Sequence, residues 1–164
     1  MATSALAAAG QNETSITPSP FPAPSKTTSG LCATHPTTIT RISFTDKLLL
    51  TISQSGRLSH WVHVPLSSAA NVETLQSTAV SSGAAGGDNA LLPRSDLTAT
   101  TVLGGTKEGA EVVGCTLAVM IASAILVKRP GEARLLVLGL GLVEGGGMGR
   151  REFEEVVGLV LDVL

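Results

Sequence analysis

The sequence contains few aromatic residues: they make up 2% of its 164 residues, with one Trp and no Tyr. Its core must therefore be aliphatic, and a hydrophobic content of 43% is enough to form one. Charged residues are also scarce, at 15%, and Lys and Arg never occur in a run longer than two. Because nucleic-acid-binding domains need a basic patch that faces the phosphates, this composition argues against nucleic-acid binding.

Cysteine is scarce as well. Cys32 and Cys115 are far apart in the sequence, and their spacing fits neither a metal-binding motif nor a disulfide framework, which indicates a reducing compartment. The first fifteen residues contain neither the basic and apolar regions of a secretory signal nor the arginines of a mitochondrial presequence. The sequence therefore predicts a cytosolic or nuclear protein.

Two segments have a composition that does not favour a folded core. Residues 1–30 are rich in Ala, Ser, Thr and Pro, and residues 67–97 form a low-complexity stretch of Ser, Ala and Gly. Neither segment buries enough apolar surface to offset the entropy lost when a chain becomes ordered. We therefore predict a disordered tail over 1–30 and a flexible insertion at about 67–97, within a single domain that spans 31–164.

The remaining sequence has the periodicities of strands and helices. β-Branched or alternating residues indicate strands, and apolar residues at helical spacing indicate an amphipathic helix. The predicted elements are strands at 37–44, 47–53, 57–66, 97–105 and 134–143, an apolar helix at 112–127, and an amphipathic helix from residue 150 onward. The order β-β-β-loop-β-α-β-α predicts an α+β domain.

The apolar helix also suggests an alternative. Residues 112–127 form an uncharged run of 16 residues, followed by Lys128 and Arg129. A membrane span needs about 20 apolar residues, so a helix buried in a soluble core is the favoured interpretation. The alternative is a single-pass membrane protein that spans residues 112–127.

The glycines near the end of the chain raise the question of a nucleotide-binding loop. Gly139 and Gly141 match the start of a dinucleotide-binding fingerprint, but Glu144 occupies the position that needs the third glycine. A packing role is therefore favoured. Both glycines share one strand face, which we expect to lie against the small residues of the apolar helix, namely Gly114, Ala118 and Ala122.

No set of residues suggests catalysis or metal binding. His60 and His63 are three positions apart, which places them on opposite faces of a strand and argues against a shared metal ion. No Ser lies in a nucleophile-elbow context. The sequence therefore predicts a non-catalytic protein without a cofactor or a metal site.

Two apolar residues are candidates for binding a partner. Trp61 lies on an otherwise polar strand face, where either a helix of the same domain covers it or it anchors a partner. Leu161 lies outside the main apolar face of the last helix, as do Leu159 and Val163. Because exposed apolar patches favour association, Trp61 and Leu161 are the predicted partner-binding residues.

The order of these elements resembles the third proteasome assembly chaperone family. The resemblance covers residues 31–66 and 98–164, and it rests on "THPTTITRISFTD", "LLLTISQSGRL", "TTVLGG" and "RLLVLGLGL". It implies an antiparallel sheet with two helices and a non-catalytic chaperone that promotes assembly of the 20S proteasome α-ring. The implied partners are a proteasome α-subunit and a related chaperone subunit, in a hetero- or homodimer. The tail, the insertion and the extra glycines depart from the family pattern, so no functional residue is carried over.

Overall fold

The computed structural model describes residues 23–67, 94–143 and 148–164. They form a six-stranded sheet with two helices, which confirms the predicted α+β class. The elements are β1 (Ser25–Cys32), β2 (His35–Ser43), β3 (Lys47–Gln54), β4 (His60–Pro65), β5 (Thr100–Leu103), α1 (Ala110–Lys128), β6 (Leu135–Gly141) and α2 (Arg150–Val163).

The sheet is mixed, whereas the resemblance implies an antiparallel one. The strand order is β1-β2-β3-β6-β4-β5, so the last strand in sequence lies near the centre. β6 is antiparallel to β4 but parallel to β3, with Leu48 paired to Leu136 and Ile52 to Leu140. A parallel pair needs a long crossover, and the chain from β4 through α1 to β6 supplies it.

Strand β1 corrects the predicted extent of the N-terminal tail. Its residues pair with β2 from Ser25 opposite Ile42 to Cys32 opposite His35. The prediction of a disordered tail is therefore wrong for residues 25–30, and the folded domain begins before residue 31. Composition failed here because an edge strand gains stability from backbone pairing even when most of its side chains are exposed. Residues 1–22 of the predicted tail lie outside the described residues.

The end of the predicted insertion is also packed against the domain. The Arg94 amide donates a hydrogen bond of 3.0 Å to Oγ of Ser123 in α1, and the Arg94 guanidinium is paired with Asp96 at 2.8 Å. The Leu97 side chain is buried in the core. The prediction of a flexible insertion is therefore wrong for residues 94–97, and residues 68–93 lie outside the described residues.

Both helices pack on one face of the sheet, where the core lies. Strand alternation directs a set of aliphatic side chains to this face, and α1 contacts β4, β5 and β6 while α2 contacts β1 and β2. The main core residues of the sheet are Ile39, Leu48, Leu50, Ile52, Val62, Val64, Leu136, Leu138 and Leu140.

Helix α1 bears on the membrane alternative. By length and composition it is apolar enough to cross a bilayer, yet half of the qualifying stretch is buried inside the domain. Its buried residues include Leu117, Ile121 and Ile125, which belong to the core. This packing favours the core helix over the single-pass span at 112–127.

The glycines of β6 face away from α1, which contradicts the predicted packing. Leu136, Leu138 and Leu140 point to the helices, so Gly139 and Gly141 lie on the other side of the strand. The predicted alternation of glycines and leucines along β6 is correct, but the prediction placed the wrong face against α1. The leucines face the helices because a close-packed core needs their bulk. A methyl group added at Gly141 would overlap the carbonyl oxygen of Arg57.

Helix α2 is held to the sheet along its length. Leu159 packs over Gly30 of β1, and Val163 is fully buried, so of the three residues expected outside the apolar face only Leu161 is exposed. At the end of α2, the carbonyl oxygen of Leu164 accepts hydrogen bonds from Arg41 at 2.8 Å and Arg129 at 3.3 Å.

Candidate functional site

The sheet surface opposite the helices is a candidate interaction surface, and we call it the open face. It consists of the outward strand residues of all six strands, since both described helices pack on the other side. Its two central rows, read across the paired strands, are Thr40, Thr51, Gly139, Trp61 and Leu103, and then Ile42, Leu49, Val137, His63 and Thr100.

The open face is almost free of charge. Among its strand residues Lys47 alone is charged, and Asp46 neutralises it across 3.1 Å. The rest are Thr, Ser, Pro, Gly and aliphatic residues, with Trp61 and His63. Exposed protein surfaces normally carry many charges, whereas the centres of interfaces are depleted of them. The composition of the open face is therefore that of a contact surface.

Trp61 lies near the middle of the open face. Its indole ring leans over the backbone of β6, where a methyl group added at Gly139 would lie 2.8 Å from Cζ3. The ring is half-buried through this contact, and neither described helix covers it. Of the two interpretations of Trp61, burial under a helix of the same domain therefore does not hold for α1 or α2, the helices that the structure describes.

Leu161 lies on a different surface, on the helical side of the molecule. Its side chain is 38% exposed on α2, whose outer side carries the ion pairs Arg150–Glu154 and Arg151–Glu155. The structure therefore does not bring the two predicted partner-binding residues together. Trp61 and Leu161 belong to separate surfaces on opposite sides of the sheet.

His60 is the polar residue that the sequence patterns failed to single out. It occupies the core position of β4 that pairs with Leu140, and its side chain is only 5% exposed. Its Nε2 is 3.1 Å from Oγ1 of Thr101, which in turn lies 3.7 Å from Sγ of Cys115. The sequence signal that could have identified His60 as a buried polar residue is its position within an alternating apolar strand pattern.

Two glycines provide the space that the His60 ring occupies. A methyl group at Gly105 would lie 2.8 Å from Nε2, and one at Gly114 would overlap the other side of the ring. The ring also lines a cavity of about 100 Å³ at the amino end of α1. Gly114, one of the small residues of α1, thus serves to accommodate His60, whereas the sequence predicted that it packs on Gly139 and Gly141.

Burial makes the stability of the protein depend on pH through His60. Removal from water lowers the pKa of His60 below its ordinary value of 6.5, and the nearby Glu111 only partly opposes this. The unfolded chain then binds more protons as the pH falls through 6.5, so the free energy of unfolding decreases. We expect the melting temperature to fall between pH 7.5 and 5.5. In His60→Gln this slope is expected to be smaller, while a slope equal to that of the parent would contradict the assignment.

The described residues show no metal-binding group. Within residues 23–67, 94–143 and 148–164, no three His, Cys, Asp or Glu side chains are placed to hold an ion. His60 faces the helices and His63 lies on the open face, as the strand spacing predicts. Cys32 and Cys115 are both free thiols, and burial raises the pKa of Cys32, which keeps it protonated.

The comparisons with known proteins identify the fold. No protein-family model and no curated protein sequence matches the chain. A solved structure does match, with a TM-score of 0.54 and 16% sequence identity, over 84% of this chain and 96% of the other. That structure is described as the crystal structure of a novel chaperone complex for yeast 20S proteasome assembly. The chain therefore has the fold of a subunit found in a chaperone complex for 20S proteasome assembly.

Proposed function

We propose that this protein is a non-catalytic chaperone that promotes assembly of the 20S proteasome α-ring. It binds a proteasome α-subunit and forms a dimer with a related chaperone subunit, or with a second copy of itself. The similarity in fold to a subunit of a chaperone complex for yeast 20S proteasome assembly supports this proposal. The proposed location is the cytosol or the nucleus, where the free thiols of Cys32 and Cys115 remain reduced.

The open face is the observation that carries the proposal. Both described helices lie on one side of the six-stranded sheet, and the strand residues of the other side include one charge. A second sheet packed against it would bury Trp61, Leu49 and Val137 in a two-layer core, as sheets do when they pack face to face. We assign this face to the chaperone dimer. The surface around Leu161 then remains available for the α-subunit.

Charge substitution on the open face tests this assignment. Trp61→Glu and His63→Glu would each place a carboxylate in a dry interface, which is expected to weaken dimerisation by about 2 kcal/mol or more, or about thirty-fold. Leu161→Glu is expected to reduce co-purification of the α-subunit while the dimer persists. The readouts are sedimentation for the dimer and quantitative co-purification for proteasome subunits.

A matched control comes from an exposed residue elsewhere. Val127→Glu introduces the same charge at an exposed position of α1, and it is expected to change neither readout. Circular dichroism confirms that each variant is folded. Unchanged dimerisation in both Trp61→Glu and His63→Glu rules out the open face, and the proposed function fails if no proteasome subunit co-purifies with the parent protein.

The single-pass membrane protein remains the second candidate function, because α1 has the length and hydropathy of a span. The packing of α1 against β4 argues against insertion of this helix into a membrane. Carbonate extraction separates the two candidates, since it releases a peripheral chaperone and leaves a spanning protein in the membrane pellet. Retention in the pellet would overturn the chaperone proposal.

A further inference from the structure

The cavity beside His60 has the features of a binding site, which the proposed function does not use. It encloses about 100 Å³ between the start of β4, the end of β6 and the loop that enters α1. Leu140 and Leu142 form its apolar wall, and the polar residues Ser59, His60, Thr106 and Lys107 line the rest. At about 30 Å³ for each water molecule, this volume holds about three waters, or one small functional group together with water.

One nitrogen of the His60 ring has no hydrogen-bond partner among the residues that the structure describes. His60 bonds to Thr101 through Nε2, while no described residue bonds to its Nδ1, which lies beside Gly114. A ring nitrogen that no protein group engages is available to hydrogen-bond to a group bound in the cavity. When the ring is protonated, Nε2 and Nδ1 both donate hydrogen bonds.

The electrostatic environment favours a negatively charged group. Helix α1 begins at the cavity, so the positive end of its dipole lies there, although the Ala110 amide itself donates to the Lys107 carbonyl oxygen at 3.0 Å. Lys107 lines the cavity and forms no ion pair with any described residue. Glu111 in the first turn is the opposing charge, and Cys115 is the other titratable residue of α1 near the ring.

We propose that this cavity binds a single small acidic group, a carboxylate or a phosphate, with His60 Nδ1 and Lys107 as its donors. The bound group would compensate the positive charge of a protonated His60, whose pKa burial otherwise lowers. Binding and protonation of His60 are therefore coupled. The loop glycines Gly104, Gly105 and Gly109 have positive φ angles, which side chains rarely adopt, and they let the loop approach the ring closely.

The test is a titration of the full-length protein with sodium acetate and with inorganic phosphate at constant ionic strength. Imidazole resonances are recorded by NMR across the pH range, with His63 on the open face as the internal reference. We expect either anion to raise the pKa of His60, whereas the His63 resonances do not respond to the anion. Lys107→Met is expected to weaken anion binding about tenfold, and Glu111→Gln is expected to strengthen it.

Two further comparisons define the source of the acidic group and the specificity of the effect. A blocked aspartyl peptide that binds more tightly than acetate, while its asparaginyl analogue does not bind, indicates a protein carboxylate. Tighter binding of phosphate indicates a phosphate group. Lys128→Met, at the other end of α1, is the matched control and is expected to bind as the parent does.

The proposal is overturned if His60 responds no differently from His63 to both anions and to the aspartyl peptide. It is also overturned if Lys107→Met and Lys128→Met bind the anions with the same affinity as the parent. None of these measurements involves a proteasome component. The outcome is therefore independent of whether the chaperone function holds.

Discussion

Replacing Gly141 with alanine is expected to lower the free energy of unfolding by about 3 kcal/mol, and the melting temperature by about 10 °C. The added methyl group would overlap the Arg57 carbonyl oxygen and carbon, which are backbone atoms that no change of rotamer moves away. Relief requires the segment before β4 to separate from β6. That movement would strain the hydrogen bond of 2.8 Å between the Ser59 amide and the Leu140 carbonyl.

Two other glycines make this prediction specific. A methyl group at Gly139 meets the ring of Trp61, a side chain that is able to move, so Gly139→Ala is expected to cost less and to alter the fluorescence of the single Trp. A methyl group at Gly158 in α2 meets open space, so Gly158→Ala is expected to stabilise the protein by up to about 1 kcal/mol. Thermal unfolding of the three variants ranks their stabilities, and we expect Gly141→Ala to be the least stable and Gly158→Ala the most stable. Equal stability of Gly141→Ala and the parent would contradict the close approach at Arg57.

Deletion of residues 1–32 is expected to abolish cooperative folding. It removes β1, which pairs with β2 through eight residues and supplies the buried Cys32. It also removes the contact of Gly30 with Leu159 and the hydrogen bond from Lys26 to the Asp162 carbonyl, so α2 loses much of its support. The total stability of a small domain is about 5–15 kcal/mol, which is comparable with the loss of a whole strand.

Deletion of residues 1–22 is the matched control. All of β1 remains in that variant, as does the hydrogen bond of 2.9 Å from the Ser43 amide to the Pro24 carbonyl. We expect it to unfold at nearly the temperature of the full chain, because it keeps every described element of the domain. Circular dichroism and calorimetry provide the comparison. If both deletions unfold at the same temperature, β1 does not contribute to the stability of the domain.

Periodic patterns predicted most of the fold, and the reason is visible in the core. Strand β3 alternates strictly between buried and half-buried residues, and α2 buries Val156 and Val160 at helical spacing. Such patterns record burial directly, so the α+β class and the order of the described elements from β2 onward followed from them. Helix α1 is apolar all round, so its pattern did not show which side faces the sheet.

The errors concern features that depend on pairing between distant segments. Polar β1 is ordered by its backbone pairing with β2, and this leaves little trace in composition. The open face was not predictable as such, because the alternation of β6 does not reveal which face the helices cover. The His60 cavity forms where β4, β6 and α1 meet, and only Gly105 and Gly114 in the sequence reflect the space it needs.

The central position of β6 has a consequence for the order of folding. β1, β2 and β3 form a meander of local contacts that is able to form as soon as those residues are synthesised. β4 has no pairing with β3 and must wait for β6, which enters between them when residues 135–141 emerge. Until β6 has been synthesised, the backbone edge of β3 that later pairs with β6 stays unpaired. This strand carries the apolar residues Leu48, Leu50 and Ile52. The interval between the synthesis of β3 and that of β6 is therefore the period in which this protein is most exposed to aggregation.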